Sequence, residues 1–70
     1  MTIEIVIASL PDREKVVAEL WIEDKQIAEI SNENDELIVE IYSTTGQDSV
    51  MIPFKDLVQA LEEAKKSLVE

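Results

Sequence analysis

The chain has 70 residues, with 16 acidic and 6 basic side chains, a net charge of −10, and neither cysteine nor histidine. This length fits one domain over residues 1–70. The composition excludes disulfides and the usual zinc, haem and iron–sulfur ligand sets. No apolar stretch approaches the ~18 residues of a membrane span, and the negative charge disfavours direct binding to nucleic acid or anionic membranes. We therefore expect a cytoplasmic domain without cofactor or metal, since a chain without cysteine suits a reducing compartment.

Alternation of apolar and polar residues with period two predicts the first part of the fold. The β-branched runs alternate in this way, and polar clusters separate them, which is typical of strands joined by hairpins. We predict strands over about residues 2–10, 16–23, 27–31 and 37–43. A short fifth strand over 49–52 is an optional addition.

The register of the first two hairpins follows from keeping apolar residues on one face, because directly paired residues share a face. The first hairpin places Ile5 opposite Leu20. In the second hairpin, a two-residue loop would put Leu20 opposite an acidic residue. We therefore predict a three-residue loop over residues 24–26, which pairs Leu20 with Ile30.

The third hairpin and the C-terminal helix complete the predicted order. Ile30 is expected opposite Leu37, with a turn over residues 32–35, where Asn and Asp tolerate left-handed backbone geometry. A helix is predicted over about residues 53–68, with Pro53 in its first turn, where a missing N–H costs nothing. Its apolar stripe is predicted from residues at helical spacing: Phe54, Leu57, Val58, Leu61, Ala64 and Leu68.

The predicted fold class is α+β: a two-layer, four- or five-stranded antiparallel β-meander with one C-terminal helix packed on one face. The helix is expected to cover the apolar residues of that face: Ile3, Ile5, Ile7, Ala18, Leu20, Ile22, Ala28, Ile30, Leu37, Val39 and Ile41. One helix covers one face, so the other face is expected to be open. By alternation the open face carries Glu4, Val6, Ala8, Val17, Glu19, Trp21, Glu23, Ile27, Glu29, Ile38, Glu40 and Tyr42.

The open face is the predicted binding surface, because it combines the only Trp and the only Tyr of the chain with carboxylates. Exposed apolar patches often mark interaction sites, and Trp and Tyr are favoured interface anchors. Residues 1–48 carry a net charge of −9 and residues 49–70 only −1, so the negative field belongs to the sheet and its loops. The predicted partner-binding residues are Glu4, Val17, Glu19, Trp21, Glu23, Glu29, Ile38, Glu40 and Tyr42.

Two plainer interpretations of the same face stay open. In the first, the face is simply solvated, because glutamates on an exposed strand keep a sheet soluble and discourage edge pairing. A homodimer in which two open faces meet is the other interpretation, although five carboxylates per face are expensive to bury without partners.

Catalysis is not predicted, because no residue set carries its chemistry. The hydroxyls of residues 43–49 cluster in a predicted turn without a nearby base, and pairs such as Glu19 and Glu40 arise by chance among so many acids. The acidic run over 32–36 lacks the ligand spacing of a calcium loop. We therefore predict no catalytic and no metal-binding residue.

The run from Ile3 to Tyr42 resembles a type of small uncharacterised acidic bacterial protein with a β-meander and a closing helix. Four segments carry the resemblance: ASLPDRE from Ala8, VAE from Val17, AEI from Ala28 and EIY from Glu40. The helix from Leu57 to Leu68 resembles the acidic closing helix of such proteins. The resemblance implies the fold and a bacterial or phage origin, and it brings no function.

Three functions are weighed on these grounds. The leading hypothesis is a non-catalytic protein-binding module whose acidic face docks a basic protein partner, as an immunity protein or antitoxin neutralises a basic toxin. The second is a phage-type inhibitor in which Glu4, Glu19, Glu29 and Glu40 imitate nucleic-acid phosphates. The third is a self-associating domain that needs no other partner.

Overall fold

The computed structural model describes residues 2–42 and 50–69. Four antiparallel strands form one sheet in chain order, and a C-terminal helix packs against it. The predicted α+β meander is therefore confirmed with four strands. The elements are β1 (Glu4–Ala8), β2 (Val17–Ile22), β3 (Lys25–Ser31), a short 3₁₀ turn (Glu33–Asp35), β4 (Ile38–Ile41) and α1 (Phe54–Val69). The one helix of at least two turns in the described residues is too short and too polar to cross a membrane.

The optional fifth strand is not formed by residues 50–52, while Ser49 and the predicted turn over 43–49 lie outside the described residues. Ile52 instead packs against the hydrophobic core as a partly buried residue. This segment therefore leads the chain into the helix and does not extend the sheet. The carbonyl oxygen of Pro53 accepts the first helical hydrogen bond, from the N–H of Leu57 at 3.1 Å, so Pro53 stands immediately before the helix.

The first hairpin has the predicted register. Ile5 lies opposite Leu20, and Ile7 lies opposite Ala18. Of these residues, Ala18 and Leu20 are buried, and Ile5 packs against them from β1. Pairing apolar residues on one face was therefore a sufficient guide for these two strands.

The turn of the second hairpin differs from the prediction. Ile22 pairs with Lys25, so the turn has two residues, Glu23 and Asp24, and not three. Glu23 adopts a positive φ of 56°, which the first residue of a tight hairpin turn commonly needs and which glycine normally provides. The chain has no glycine here, and the two-residue turn forms at the cost of one strained residue.

A β-bulge next to this turn restores the apolar face. Leu20 pairs with Ala28, whereas the next residue, Trp21, pairs with Gln26, so β3 holds one extra residue, Ile27. The predicted pairing of Leu20 with Ile30 is therefore wrong. Ile27 was expected on the open face, but the bulge leaves it buried within the hydrophobic core.

The third hairpin is longer than predicted. Ile30 pairs with Val39 and not with Leu37, which leaves room for the 3₁₀ turn between the strands. Asn34 and Asp35 have φ angles of 51° and 58°. The expectation that Asn and Asp supply left-handed backbone in this turn is therefore confirmed, and the two-residue change in register keeps every side chain on its predicted face.

The helix faces the sheet through two alanines. Ala60 and Ala64 are buried, and Leu61 and Leu68 pack against the same core. Phe54 and Val58 were predicted in the packed stripe, but Phe54 is 82% exposed and Val58 is also exposed. The apolar stripe is therefore rotated toward Ala60, which the prediction left out, and the larger residues Phe54 and Val58 lie in solvent.

The helix covers only part of the sheet. It contacts β1, β2 and β3 but not β4. Three residues of the β4 region predicted under the helix (Leu37, Val39 and Ile41) are consequently exposed, as is Ile7 on β1. The core therefore sits between α1 and the first three strands, and β4 extends beyond it.

Candidate protein-binding surface

The face of the sheet opposite α1, called the second face below, carries a row of carboxylates. Glu19 pairs with Glu29 across β2 and β3, and Glu29 pairs with Glu40 across β3 and β4. Directly paired residues share a face, and like charges at such positions destabilise a sheet. The sheet must therefore compensate this acidic row (Glu19, Glu29 and Glu40) locally.

Compensation comes from Arg13 on the β1–β2 connection. The guanidinium Nη2 of Arg13 lies 2.9 Å from Oε2 of Glu29, a charge-assisted hydrogen bond. The Glu29 side chain is only 6% exposed, and that of Arg13 is 28% exposed. A buried carboxylate requires a partner of this kind, since unpaired buried charge is costly. The charge of Glu29, the middle residue of the acidic row, is thus neutralised by Arg13 from the β1–β2 connection.

A local turn places Arg13 over the second face. The N–H of Arg13 donates to the carbonyl of Leu10 at 3.1 Å, which closes a four-residue turn. Pro11 and Asp12 occupy its two central positions, and proline at the first central position presets the φ angle that common turns need. The sequence Leu-Pro-Asp-Arg therefore reverses the chain immediately after β1 and directs it back over the sheet.

Two further contacts attach the same connection to the 3₁₀ turn between β3 and β4. The backbone N–H of Glu14 donates to Oε1 of Glu33 at 3.2 Å. Nζ of Lys15 lies 3.7 Å from Oδ1 of Asp35, although both side chains are largely exposed. An exposed ion pair at this distance contributes little to stability. The Arg13–Glu29 pair is therefore the principal contact of the connection.

Tyr42 approaches Glu29 from the other side. Its hydroxyl donates to Oε1 of Glu29 at 3.2 Å, so Glu29 accepts a hydrogen bond on each oxygen. Partial burial raises the pKa of Tyr42 above its ordinary value of 10.0, and the negative charges of Glu29 and Glu40 and the hydrogen bond to Glu29 raise it further, while Arg13 lowers it. The phenol therefore stays neutral and fixed beside the acidic row at any physiological pH.

Trp21 is held in a similar way at the other end of the row. Its indole Nε1–H donates to Oε1 of Glu19 at 3.0 Å, across two positions of one strand. Glu4 on β1 pairs with Trp21 and is exposed. Trp21 and Tyr42 are both half-buried. Each aromatic ring therefore has its polar atom satisfied within the chain and keeps part of its surface accessible.

The structure separates the predicted partner-binding residues into two groups. Val17 and Glu29 are buried, so they cannot contact a partner in this conformation, and they support the face from within. Glu23 is exposed but lies in the β2–β3 turn, at the edge of the face. The remaining predicted residues are partly or fully accessible: Glu4, Glu19, Trp21, Ile38, Glu40 and Tyr42.

Arg13 is the residue that the sequence reasoning missed. Alternation does not identify this residue, because alternation identifies residues within strands and says nothing about which loop returns over which face. The available signal was its charge: Arg13 is the only arginine among many acids, and a buried glutamate needs such a partner. Charge pairing between a turn and a strand could have identified the contact.

Among residues 2–42 and 50–69, no group of three acidic side chains lies where it could hold a metal ion. No protein-family model matches the chain, and neither a curated protein nor a solved structure matches it significantly. The second face combines two accessible aromatic rings with exposed carboxylates.

Proposed function

We propose that this chain is a non-catalytic binding module of the cytoplasm that docks a basic protein partner on its second face. The observation that carries the proposal is the position of Trp21 and Tyr42. Both rings lie on the face that the helix leaves uncovered, next to accessible carboxylates, and each is held by a hydrogen bond to a glutamate. Aromatic side chains in such surroundings are favoured anchors of protein interfaces.

Preorganisation supports the same proposal. The indole N–H of Trp21 and the hydroxyl of Tyr42 already have acceptors, so a partner can pack on the rings without supplying hydrogen bonds to them. Fixed side chains lose little conformational entropy on association. The second face therefore suits a partner that brings apolar surface together with positive charge.

Charge determines the kind of partner. Residues 1–48 carry a net charge of −9, and both Arg13 and Lys15 are engaged in ion pairs. Glu4 and Glu40 are exposed on the second face. Such a surface attracts a basic protein, speeds its association and repels acidic competitors. Neutralisation of a basic toxin or nuclease, in the manner of an immunity protein or antitoxin, is the specific form of this proposal.

Imitation of nucleic-acid phosphates is less well supported. A mimic needs a row of accessible charges, but Glu29, in the middle of the acidic row, is buried and paired with Arg13. Glu19 also gives one oxygen to Trp21. The row thus presents fewer free charges than its sequence implies, and this favours docking through aromatic anchors with flanking carboxylates.

The test uses an arginine-rich peptide as the probe of basic character. Titration into the labelled protein should shift the backbone amide NMR signals of Trp21, Glu40 and Tyr42 first, and it should change the fluorescence of Trp21, the only Trp in the chain. Shifts confined to the exposed acids of α1, Glu62 and Glu63, would contradict the proposed face.

A matched pair of variants separates position from total charge. Glu4→Gln with Glu40→Gln removes two charges from the second face, and Glu62→Gln with Glu63→Gln removes two from the exposed side of the helix. Only the first pair should weaken probe binding, by roughly two- to thirtyfold if each exposed ion pair contributes ~0.2–1 kcal/mol. Equal losses in both pairs would mean that net charge, and not this face, governs binding.

A further inference from the structure

Strand β4 is an edge strand of the sheet, and the helix does not contact it. All four of its residues are exposed, and Ile41 is 79% exposed. The neighbouring Leu37 is exposed as well. A flat, apolar edge strand presents unpaired backbone groups that readily pair with another strand, and proteins usually protect such edges. Here the only charge within the strand is Glu40.

The hydrogen-bond pattern shows which residues of β4 face outward. The N–H of Tyr42 donates to the carbonyl of Ile27 at 3.0 Å, which continues the β3–β4 register by one pair. Residues of an antiparallel strand bond alternately to one neighbour and to the other side. Ile38 and Glu40 therefore bond toward β3, whereas Leu37, Val39 and Ile41 direct their N–H and C=O groups away from β3, to a side where no strand of residues 2–42 and 50–69 pairs with them.

We infer that β4 pairs with β4 of a second copy of this chain, antiparallel and with the two-fold axis at Val39, to give a continuous eight-stranded sheet. In this register Val39 faces Val39 of the other copy, and Leu37 faces Ile41. The outward N–H and C=O groups of these residues then bond to each other across the axis, with six hydrogen bonds possible. Leu37, Val39 and Ile41, whose backbone groups point away from β3, are also the apolar residues on the helix side of β4.

Neighbouring registers are less suitable because they oppose like charges. A two-fold axis at Glu40 would place the two Glu40 side chains directly opposite each other, which is destabilising. An axis at Ile38 would place Glu36 opposite Glu40. With the axis at Val39, Glu40 faces Ile38 of the other copy, and the acidic rows of the two chains are offset. Of these three registers, only the one with its axis at Val39 opposes no like charges, which favours a second copy over an unrelated strand as the occupant.

The charge of the chain predicts an unusual salt dependence for this contact. Each copy carries a net charge of −10, so the two copies repel each other at low ionic strength. Added salt screens this repulsion and should strengthen the dimer. Binding of a basic partner on the second face should instead weaken with salt. Because salt should change the two affinities in opposite directions, one measurement can disprove the dimer without disproving the proposed function.

Sedimentation of the full chain over roughly 10 μM to 1 mM tests the inference, because paired edges alone form a small interface with weak affinity. The mass should rise from 7.9 kDa toward that of a dimer, and more readily in high salt. Over the same series, hydrogen exchange should slow at the amides of Leu37, Val39 and Ile41. A monomer under all conditions, or slowing confined to β1, would overturn the inference.

Two variants identify the edge. Val39→Pro removes an outward N–H without affecting a β3–β4 hydrogen bond, a position at which edge strands accept proline, so the monomer should stay folded and the dimer Kd should rise roughly tenfold or more. Val39→Lys should do the same, whereas Ile7→Lys, at a similarly exposed position on the helix side of β1, should not. Unchanged association in folded Val39→Lys would overturn the proposed edge.

Discussion

The two faces of the sheet are stabilised in different ways. The helix side is apolar: Leu20 and Ala18 are fully buried under Ala60 and Ala64. The second face also contains buried residues, but the central one is a charged group, Glu29, held by two hydrogen bonds. Burial of apolar surface is non-directional, whereas a buried carboxylate is stable only with partners at defined positions.

This difference shows how a small acidic domain can keep an ordered surface without a second layer. One loop residue, Arg13, and one aromatic residue, Tyr42, fix the second face around Glu29. The helix side provides most of the stability, and the second face provides defined geometry. The predictions below test that division of roles.

The largest effect is expected on the helix side. Leu20→Ala should lower the free energy of unfolding by about 2–5 kcal/mol, because it removes a fully buried side chain and leaves a cavity. Chemical denaturation followed by Trp21 fluorescence measures the change. Leu20→Met, which nearly conserves volume, should cost less than about 1.5 kcal/mol. Equal losses for the two variants would contradict tight packing at this position.

An intermediate effect is expected at the buried ion pair. Arg13→Ala leaves Glu29 without its charged partner and should cost about 1–3 kcal/mol. Lys15→Ala on the same connection removes only an exposed contact at 3.7 Å and should change stability by less than about 0.5 kcal/mol. Denaturation of both variants in one buffer makes the comparison. A loss as small for Arg13 as for Lys15 would mean that the second face is merely solvated.

Titration of Tyr42 sharpens the same comparison without unfolding the protein. Tyr42 is the only tyrosine, so tyrosinate absorbance reports its pKa directly, and this pKa should lie above 10.0. Glu29→Gln removes a negative charge and should lower the pKa, whereas Arg13→Ala removes a positive charge and should raise it. Shifts of the same sign in both variants would contradict the arrangement around Glu29.

The raised pKa also has a consequence for stability. The folded state favours the neutral phenol of Tyr42, so this contribution to stability is fully present below pH 10.0. It is lost as the pH rises through the higher pKa of the folded state. Tyr42→Phe cannot ionise and should therefore lose less stability than the unmodified chain in that alkaline window.

The smallest effect is expected at the start of the helix. Phe54→Ala should change the free energy of unfolding by less than about 0.5 kcal/mol, because Phe54 is 82% exposed. Leu61→Ala, on the partly buried side of the same helix, should cost clearly more. Thermal unfolding of the two variants compares them directly. A large loss at Phe54 would mean that this ring packs against the chain.

Much of the fold could be predicted from the sequence, and particular residues explain why. The alternation around Ile5 and Leu20 determines both face and register, since a shift by one residue would expose the apolar set. The left-handed backbone at Asn34 and Asp35 follows from their local preference. Both signals are local or depend on one pair of strands.

The predictions were wrong where the same sequence pattern is compatible with more than one backbone conformation. The predicted three-residue loop and the observed two-residue turn with a bulge both keep Ala28 and Ile30 on the face of Leu20, so the sequence pattern satisfies both and Ile27 was placed on the wrong face. Periodicity also does not specify the rotation of the helix about its axis, because Ala60 and Val58 each lie at helical spacing from other residues of the stripe. The role of Arg13 depends on the β1–β2 connection crossing the second face, and such a contact leaves no periodic pattern in the sequence.

The coupling energy between Arg13 and Glu29 tests the central claim most directly, namely that the second face is an organised surface built around a buried carboxylate. A double-mutant cycle with Arg13→Ala and Glu29→Gln measures it from four unfolding curves. The account predicts a coupling of at least about 1 kcal/mol, with less than about 0.5 kcal/mol for Lys15 and Asp35 as the exposed reference pair. A coupling of zero between Arg13 and Glu29 would contradict the account.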